Sequence, residues 1–265
     1  MEQEEQQTEQ QLGHPMDQHM IGGAVDTQQQ LQEEKKTWYA SLLSTGSVVL
    51  DELLCGGYER DVVTTIFGPS GAGKSTLCFL AALASVKEGK KVLFVDTEGG
   101  FSTIRFQQLA GNGSEVLERI FILKPTTFLE QIKAVETLRA MVTDAIGLII
   151  IDTISMLYRI EIGRHSNDIK NVNAELGSQL SQLTEIARKK NIPILVTNQV
   201  YADFDEREAV KMVGGDLLKY GSKCLLELQK YKTVRRVVVK KHRFLPDGIG
   251  VNFKIVQLGL EKFGE

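Results

Sequence analysis

Eight consecutive residues, Gly68-Pro69-Ser70-Gly71-Ala72-Gly73-Lys74-Ser75, fit the pattern G-x-x-x-x-G-K-[ST], and few other features restrict a fold so tightly. The run follows a β-rich stretch, 62–67, and opens a helical one, 75–86, the context in which the pattern makes a phosphate site. Its glycines let backbone N–H groups converge on an anion at a helix N-terminus. Lys74 brings a point charge to the β- and γ-phosphates. The Ser75 hydroxyl is a ligand for Mg²⁺, and Thr76 follows in the same helical turn. The expected ligands are ATP and Mg.

With 265 residues, 42% hydrophobic and 25% charged, the chain is long enough for one α/β core and lies in the ordinary globular range. The apolar run 148–151 is broken by Asp152, and the first 30 residues hold no apolar block. Both facts argue against a membrane span or signal peptide and for a cytoplasmic protein. Cys55, Cys78 and Cys224 are odd in number and widely spaced, so they read as reduced thiols in or near the core. Residues 1–40 carry eight acids and two bases, a net of −6, which leaves +3 on the remainder. That balance permits a polyanionic partner without demanding one. Ten Gln in 1–36 and few apolar residues cannot offset the entropy of ordering, so 1–40 is expected to be a disordered acidic, Gln-rich tail and 41–265 the ATP-binding domain.

Beyond the tail, apolar runs alternate with helical stretches. Strands are expected at 92–95 and 120–123, with a helix at 102–110 between them. Thr127 and Glu130 stand in capping-box spacing at the start of a helix over 127–142. The run 148–151 is apolar on both faces, as a parallel sheet covered by helices requires. Over 168–190 the residues Ile169, Val172, Leu176, Leu180, Leu183 and Ile186 step by three or four, which predicts a long amphipathic helix. A strand at 194–197 follows, and 225–228, 234–240 and 251–256 with short connections predict an antiparallel extension. Asp152, at the end of its strand, is placed to hold a Mg²⁺-bound water or to cap the turn at Thr153. Glu98 falls just past the strand 92–96, where open α/β sheets put their sites. It can orient or deprotonate a water, or be a plain loop glutamate.

These elements together resemble the RecA/RadA recombinase superfamily over about 43–263. Leu43-Ser44-Thr45-Gly46, Leu50-Asp51-Glu52-Leu53-Leu54 and Gly56-Gly57 look like the family's opening segment, and Val95-Asp96-Thr97-Glu98 like its glutamate motif. Val196-Thr197-Asn198-Gln199-Val200 is similar to the strand whose glutamine senses the γ-phosphate and signals to the DNA-binding loop. Arg105 occupies the place of an arginine that stacks on adenine, or is a surface helix residue. The run Lys241-His242-Arg243 matches cations that reach a neighbour's γ-phosphate in trans, or is a solvated charge run at a strand end. The resemblance puts DNA contacts at 162–170 and 201–216. The acids Asp203, Asp205, Glu206, Glu208 and Asp216 make the second segment a poor match for a phosphate backbone. Affinity is therefore expected from Lys230, Lys232, Arg235 and Arg236, with only Tyr231 to stack, or that cluster is an ordinary charged edge strand.

The fold implied is α/β, a RecA-like P-loop NTPase core with a mostly parallel central sheet and a short antiparallel extension. The resemblance implies ATP-dependent binding of single- or double-stranded DNA in recombination and repair, with weak ATPase activity. The family's N-terminal helical domain and Phe-x-x-Ala linker are not matched; 79–82 has that pattern but falls in the phosphate-loop helix. Tyr220 stands where the family has a coupling histidine. Both departures favour a regulatory paralogue beside a RadA-type recombinase over a strand-exchange enzyme, with homo-oligomers possible through the nucleotide site. The competing readings are a KaiC-like signalling ATPase that binds proteins and not DNA, and an adaptor that binds ATP without turnover.

Overall fold

The computed structural model describes Thr37 and residues 41–111, 114–164, 168–202 and 210–264. The expected tail of residues 1–40 lies outside these apart from Thr37, and the compact unit is Ser41–Glu265. A small antiparallel pair, β1 (Leu42–Leu43) with β2 (Tyr58–Glu59), brackets helix α1 (Val48–Leu53). The carboxylate of Asp51 in α1 accepts from Ser44 Oγ at 2.6 Å and from the Thr45 N–H at 2.7 Å, which folds the opening segment back on itself.

The main sheet is built from β3 (Val63–Gly68), β4 (Lys91–Asp96), β5 (Ile120–Leu123), β6 (Ile146–Asp152), β7 (Ile194–Ala202), β8 (Val210–Met212), β9 (Cys224–Tyr231), β10 (Val234–Lys241), β11 (Gly250–Val256) and β12 (Gly259–Lys262). Its order is β12-β11-β10-β9-β3-β7-β6-β4-β5, with β8 paired to β7. From β9 to β5 the pairs are parallel, and β10, β11 and β12 add an antiparallel extension, as expected.

Strand periodicity explains the two cores. Along β6, Leu148 and Ile150 enter one apolar cluster while Ile149 and Ile151 enter the other; along β4, Phe94 and Val95 divide the same way. A strand with period two and apolar residues on both faces must be covered on both. The first face is covered by α2 (Lys74–Lys87), with α3 (Thr103–Ala110) beside it. The second is covered by α4 (Phe128–Met141), α5 (Ser155–Arg164) and α6 (Ile169–Lys190). Phe79, Phe94, Phe101 and Phe106 interlock under α2, with ring centroids 5.1–6.0 Å apart. That places the Phe79 pattern in the core, as read.

Local signals hold where they are strong. Thr127 Oγ1 accepts from the Glu130 N–H at 3.1 Å, while the Glu130 carboxylate reaches Thr126 rather than Thr127. On α6 the residues Val172, Leu176, Leu180, Leu183 and Ile186 are buried, and the helix stops at Asn191, which takes a left-handed φ of 50°. Short elements were not foreseen: β1, α1, β2, β8, β12, α5 and a final helix α7 (Gly215–Gly221). The thiols of Cys78 and Cys224 are buried, the latter pushed up to about 12 by burial. Cys55 corrects the expectation of a near-core thiol. It is exposed, in the turn that ends α1, at a φ of 54°.

Leu195 in β7 is fully buried at the centre of the sheet. Leu195→Ala should lower the unfolding free energy by about 2–5 kcal/mol. Urea denaturation followed by circular dichroism checks this; an unchanged midpoint would contradict the assigned core.

Candidate nucleotide site

The phosphate loop is made by close packing as much as by its glycines. Gly68 ends β3 with the Leu228 carbonyl against it, so a β-carbon there would stand 2.3 Å from that oxygen. Gly73 takes a φ of 109°, and a β-carbon on it would meet Ile255 at 2.7 Å. Gly73 is the N-cap of α2 and offers no capping side chain, so the first-turn N–H groups are left for other acceptors. Ser70, Gly71, Gly73, Lys74, Ser75 and Thr76 line a cleft of about 350 Å³ together with Glu98, Asp152, Thr153 and Gln199. Pro69 and Ala72 complete the loop, with the Ala72 N–H donating to the Pro69 carbonyl at 3.2 Å.

Lys74 is only 8% exposed, and its ammonium donates to the Gly68 and Pro69 carbonyls at 2.9 and 3.1 Å. Burial lowers its pKa, an effect opposed by the charges of Asp152 and Glu98. Asp152 is 6% exposed at the end of β6 and accepts from Thr197 Oγ1 at 2.5 Å. Its carboxyl is pushed above the usual carboxylate range by burial and by Glu98; hydrogen bonds from Thr197 and Ser75, and the charge of Lys74, pull the other way. Ser75 and Asp152 thus face each other across the cleft. A hydroxyl and a carboxylate side by side are the hard oxygen donors that Mg²⁺ takes.

Glu98 accepts from Thr153 Oγ1 at 3.1 Å and from Gln199 Nε2 at 2.6 Å. Its loop is shaped by Asp96, whose carboxylate accepts from the Gly100 and Phe101 N–H groups, both at 3.0 Å. Thr97 Oγ1 accepts from the Thr153 N–H and donates to the Thr153 carbonyl, which ties the ends of β4 and β6 together. Gln199 is held by its backbone. Its N–H donates to Ser155 Oγ at 3.3 Å, and its carbonyl accepts from the Val213 N–H at 3.2 Å. Thr97, Thr153 and Thr197 were given no roles from the sequence. The available signal was polar residues at the ends of apolar strands.

Other expected site residues sit elsewhere. The Arg105 guanidinium donates to the Val256 and Gln257 carbonyls at 2.8 and 2.9 Å, joining α3 to the β11–β12 turn. Lys241 and Arg243 stand at the end of β10 away from the phosphate loop. Lys241 donates to the carbonyls of Lys219 and Ser222, and Arg243 pairs with Glu59 and Asp61. A larger groove of about 1130 Å³ opens beside Arg243, between α6 and α7, and no phosphate-loop residue lines it. Of the segments expected at DNA, 162–164 form the end of α5 and 210–212 form β8; 165–167 and 203–209 lie outside the described residues. Tyr220 is 77% exposed on α7.

The profile of the Rad51 family matches residues 39–262. The chain belongs to the Rad51 family. The "DNA repair and recombination protein RadB" of Methanococcus maripaludis (strain C7) is 43% identical over 214 residues, covering 80% of this chain and 97% of that protein. The protein of the same name from Methanobrevibacter smithii is 38% identical over 219 residues, covering 80% and 92%. Among solved structures, one described as "Crystal structure of the RadB recombinase" superposes with a TM-score of 0.72 at 37% identity, covering 84% of this chain and all of that one. The family's RecA-like fold is thus shared along nearly the whole compact unit, and that fold implies nucleotide binding.

Because Asp152 has a raised pKa in the folded state, its favourable contribution is complete below about pH 4 and is lost as pH climbs through the raised value. Asp152→Asn should therefore melt at the same or a higher temperature than the parent at pH 7, with the gap closing at pH 4, while losing Mg-dependent ATP binding. A lower melting temperature at pH 7 would contradict this reading.

Proposed function

We infer that this chain is a cytoplasmic, ATP-switched DNA-binding protein of recombination and repair. It hydrolyses ATP weakly and works beside a RadA-type recombinase as a mediator rather than exchanging strands itself. The observation that carries the reading is the 2.6 Å hydrogen bond from Gln199 to Glu98. It links the carboxylate suited to orient a water with the strand that leads into 201–216.

In this mechanism the loop amides and Lys74 hold the triphosphate, and Lys74 exchanges its bonds to Gly68 and Pro69 for phosphate oxygens. Ser75 and Asp152 would hold Mg²⁺, which supplies charge neutralisation at the β- and γ-oxygens. Glu98 orients the attacking water and takes its proton. Gln199 releases Glu98 to read the terminal phosphate, and its carbonyl bond to Val213 carries the change to β8. Arg105 offers adenine the face of a guanidinium whose edge is already fixed by two carbonyls. Lys241 and Arg243 are far from their own phosphate loop, so a phosphate they reach belongs to a neighbour, and activity then depends on assembly. Lys232 and Arg236, with Tyr231 exposed beside them, give a backbone-reading DNA contact. Among the described residues no helix is long and apolar enough to cross a membrane.

Lys74→Ala should abolish the calorimetric signal of Mg-ATP binding; an unchanged affinity sinks the site. Glu98→Gln should keep ATP affinity but slow phosphate release on the order of 10²–10⁴-fold; a parent with no turnover would leave the adaptor reading in its place. Labelled single-stranded DNA should be retarded in gels at low salt and released as salt rises. No retardation at any salt would favour the signalling ATPase with protein partners.

A further inference from the structure

Two cations stand against the phosphate loop that no motif announces. The register of β9 with β10 sets Arg235 directly opposite Lys230. Both side chains therefore leave the sheet on the face where Leu228 and Val237, two residues along, are buried beneath α2. Like charges facing each other across a strand pair repel. Among the described residues no carboxylate pairs with either one.

Both converge on Gly71. Arg235 Nη2 donates to the Gly71 carbonyl at 3.4 Å, and the Lys230 ammonium lies so near that a β-carbon on Gly71 would stand 3.0 Å from it. The other Arg235 bond, from Nη1 to the Thr233 carbonyl, is 3.5 Å long. Both distances are at the limit of a hydrogen bond. Arg235 Nε is buried without a partner. Arg235 also lines the cleft, along with Ser70, Gly71, Lys74 and Ser75. A guanidinium with five donors in a planar fork matches the oxygens of a phosphate, and a polyanion in the cleft would offset the repulsion between the two cations.

We propose that Arg235, supported by Lys230, is a phosphate-binding residue of the nucleotide site, supplied in cis by the antiparallel extension. This rests on the reading of the cleft as an ATP site and deepens it. It also removes both residues from the DNA-contact cluster expected from the sequence, leaving Lys232 at the turn and Arg236 on the opposite face.

The test is calorimetric titration of Mg-ATP into the full chain and its variants, with single-stranded DNA affinity measured separately without nucleotide. Arg235→Ala should weaken ATP binding roughly ten- to a hundredfold, the loss expected for a charged hydrogen bond. Lys230→Ala should weaken it several-fold and Arg235→Lys should recover part of the loss. Lys240→Ala, on the other face of β10, should bind as the parent does, and DNA affinity of Arg235→Ala should hold. If Arg235→Ala does not fold, Arg235→Gln gives the same readout with the side-chain length kept. Parental ATP affinity in a folded Arg235 variant, or a loss confined to DNA binding, overturns the proposal while the ATP site stands. A parent chain that binds no ATP overturns both.

Discussion

A parallel strand buried on both faces has little place for a charged side chain along its length, so charged groups collect at its ends, and the site forms at the C-terminal one. That constraint assembles this cleft. The register sets Asp96 beside Asp152 and Gly68 beside Gln199. Four strands that are separate in sequence therefore deliver a glycine turn, two carboxylates and an amide to one edge. The three threonines Thr97, Thr153 and Thr197 then fix the carboxylates and strand ends against one another. Chemistry and fold share the same apolar runs.

The same placement sets a tension between stability and function. Lys74 and Asp152 are both buried, and burial disfavours the charged form of each. Their mutual attraction and the hydroxyls of Ser75 and Thr197 recover part of that cost. A phosphate-binding site needs these charges ready and largely dehydrated, since interactions made in a water-poor cleft are stronger than those made in solvent. Apolar residues at these positions would serve the fold better and the ligand not at all.

Sequence alone revealed what depends on local pattern. The phosphate loop, the Thr127 cap and the stripe on α6 each repeat a rule that needs no distant partner. Glu98 and Asp152 could be placed because strand ends converge and Gln199 through the family resemblance, although the bond between Glu98 and Gln199 joins residues 101 positions apart and no spacing states it. Helix α5 was missed because its turns are set by packing against α4, α6 and β7 rather than by a clear stripe. Lys230 and Arg235 were expected in a DNA-contact cluster or on an ordinary charged edge strand. Only the register shows that the alternation of β10 turns Arg235 toward the phosphate loop and Arg236 away from it.

Ile255 seals the phosphate loop at Gly73, and the carbonyl of Val256 anchors Arg105. The cleft is thus walled by segments far apart in the chain, the glycine turn near the start of the compact unit and β11 near its end. On the ribosome, the glycine turn and its helix emerge long before the strand that closes over them. Until that strand arrives, the nascent protein has a phosphate loop with one wall missing, so the cleft can take its shape only after β11 has been made.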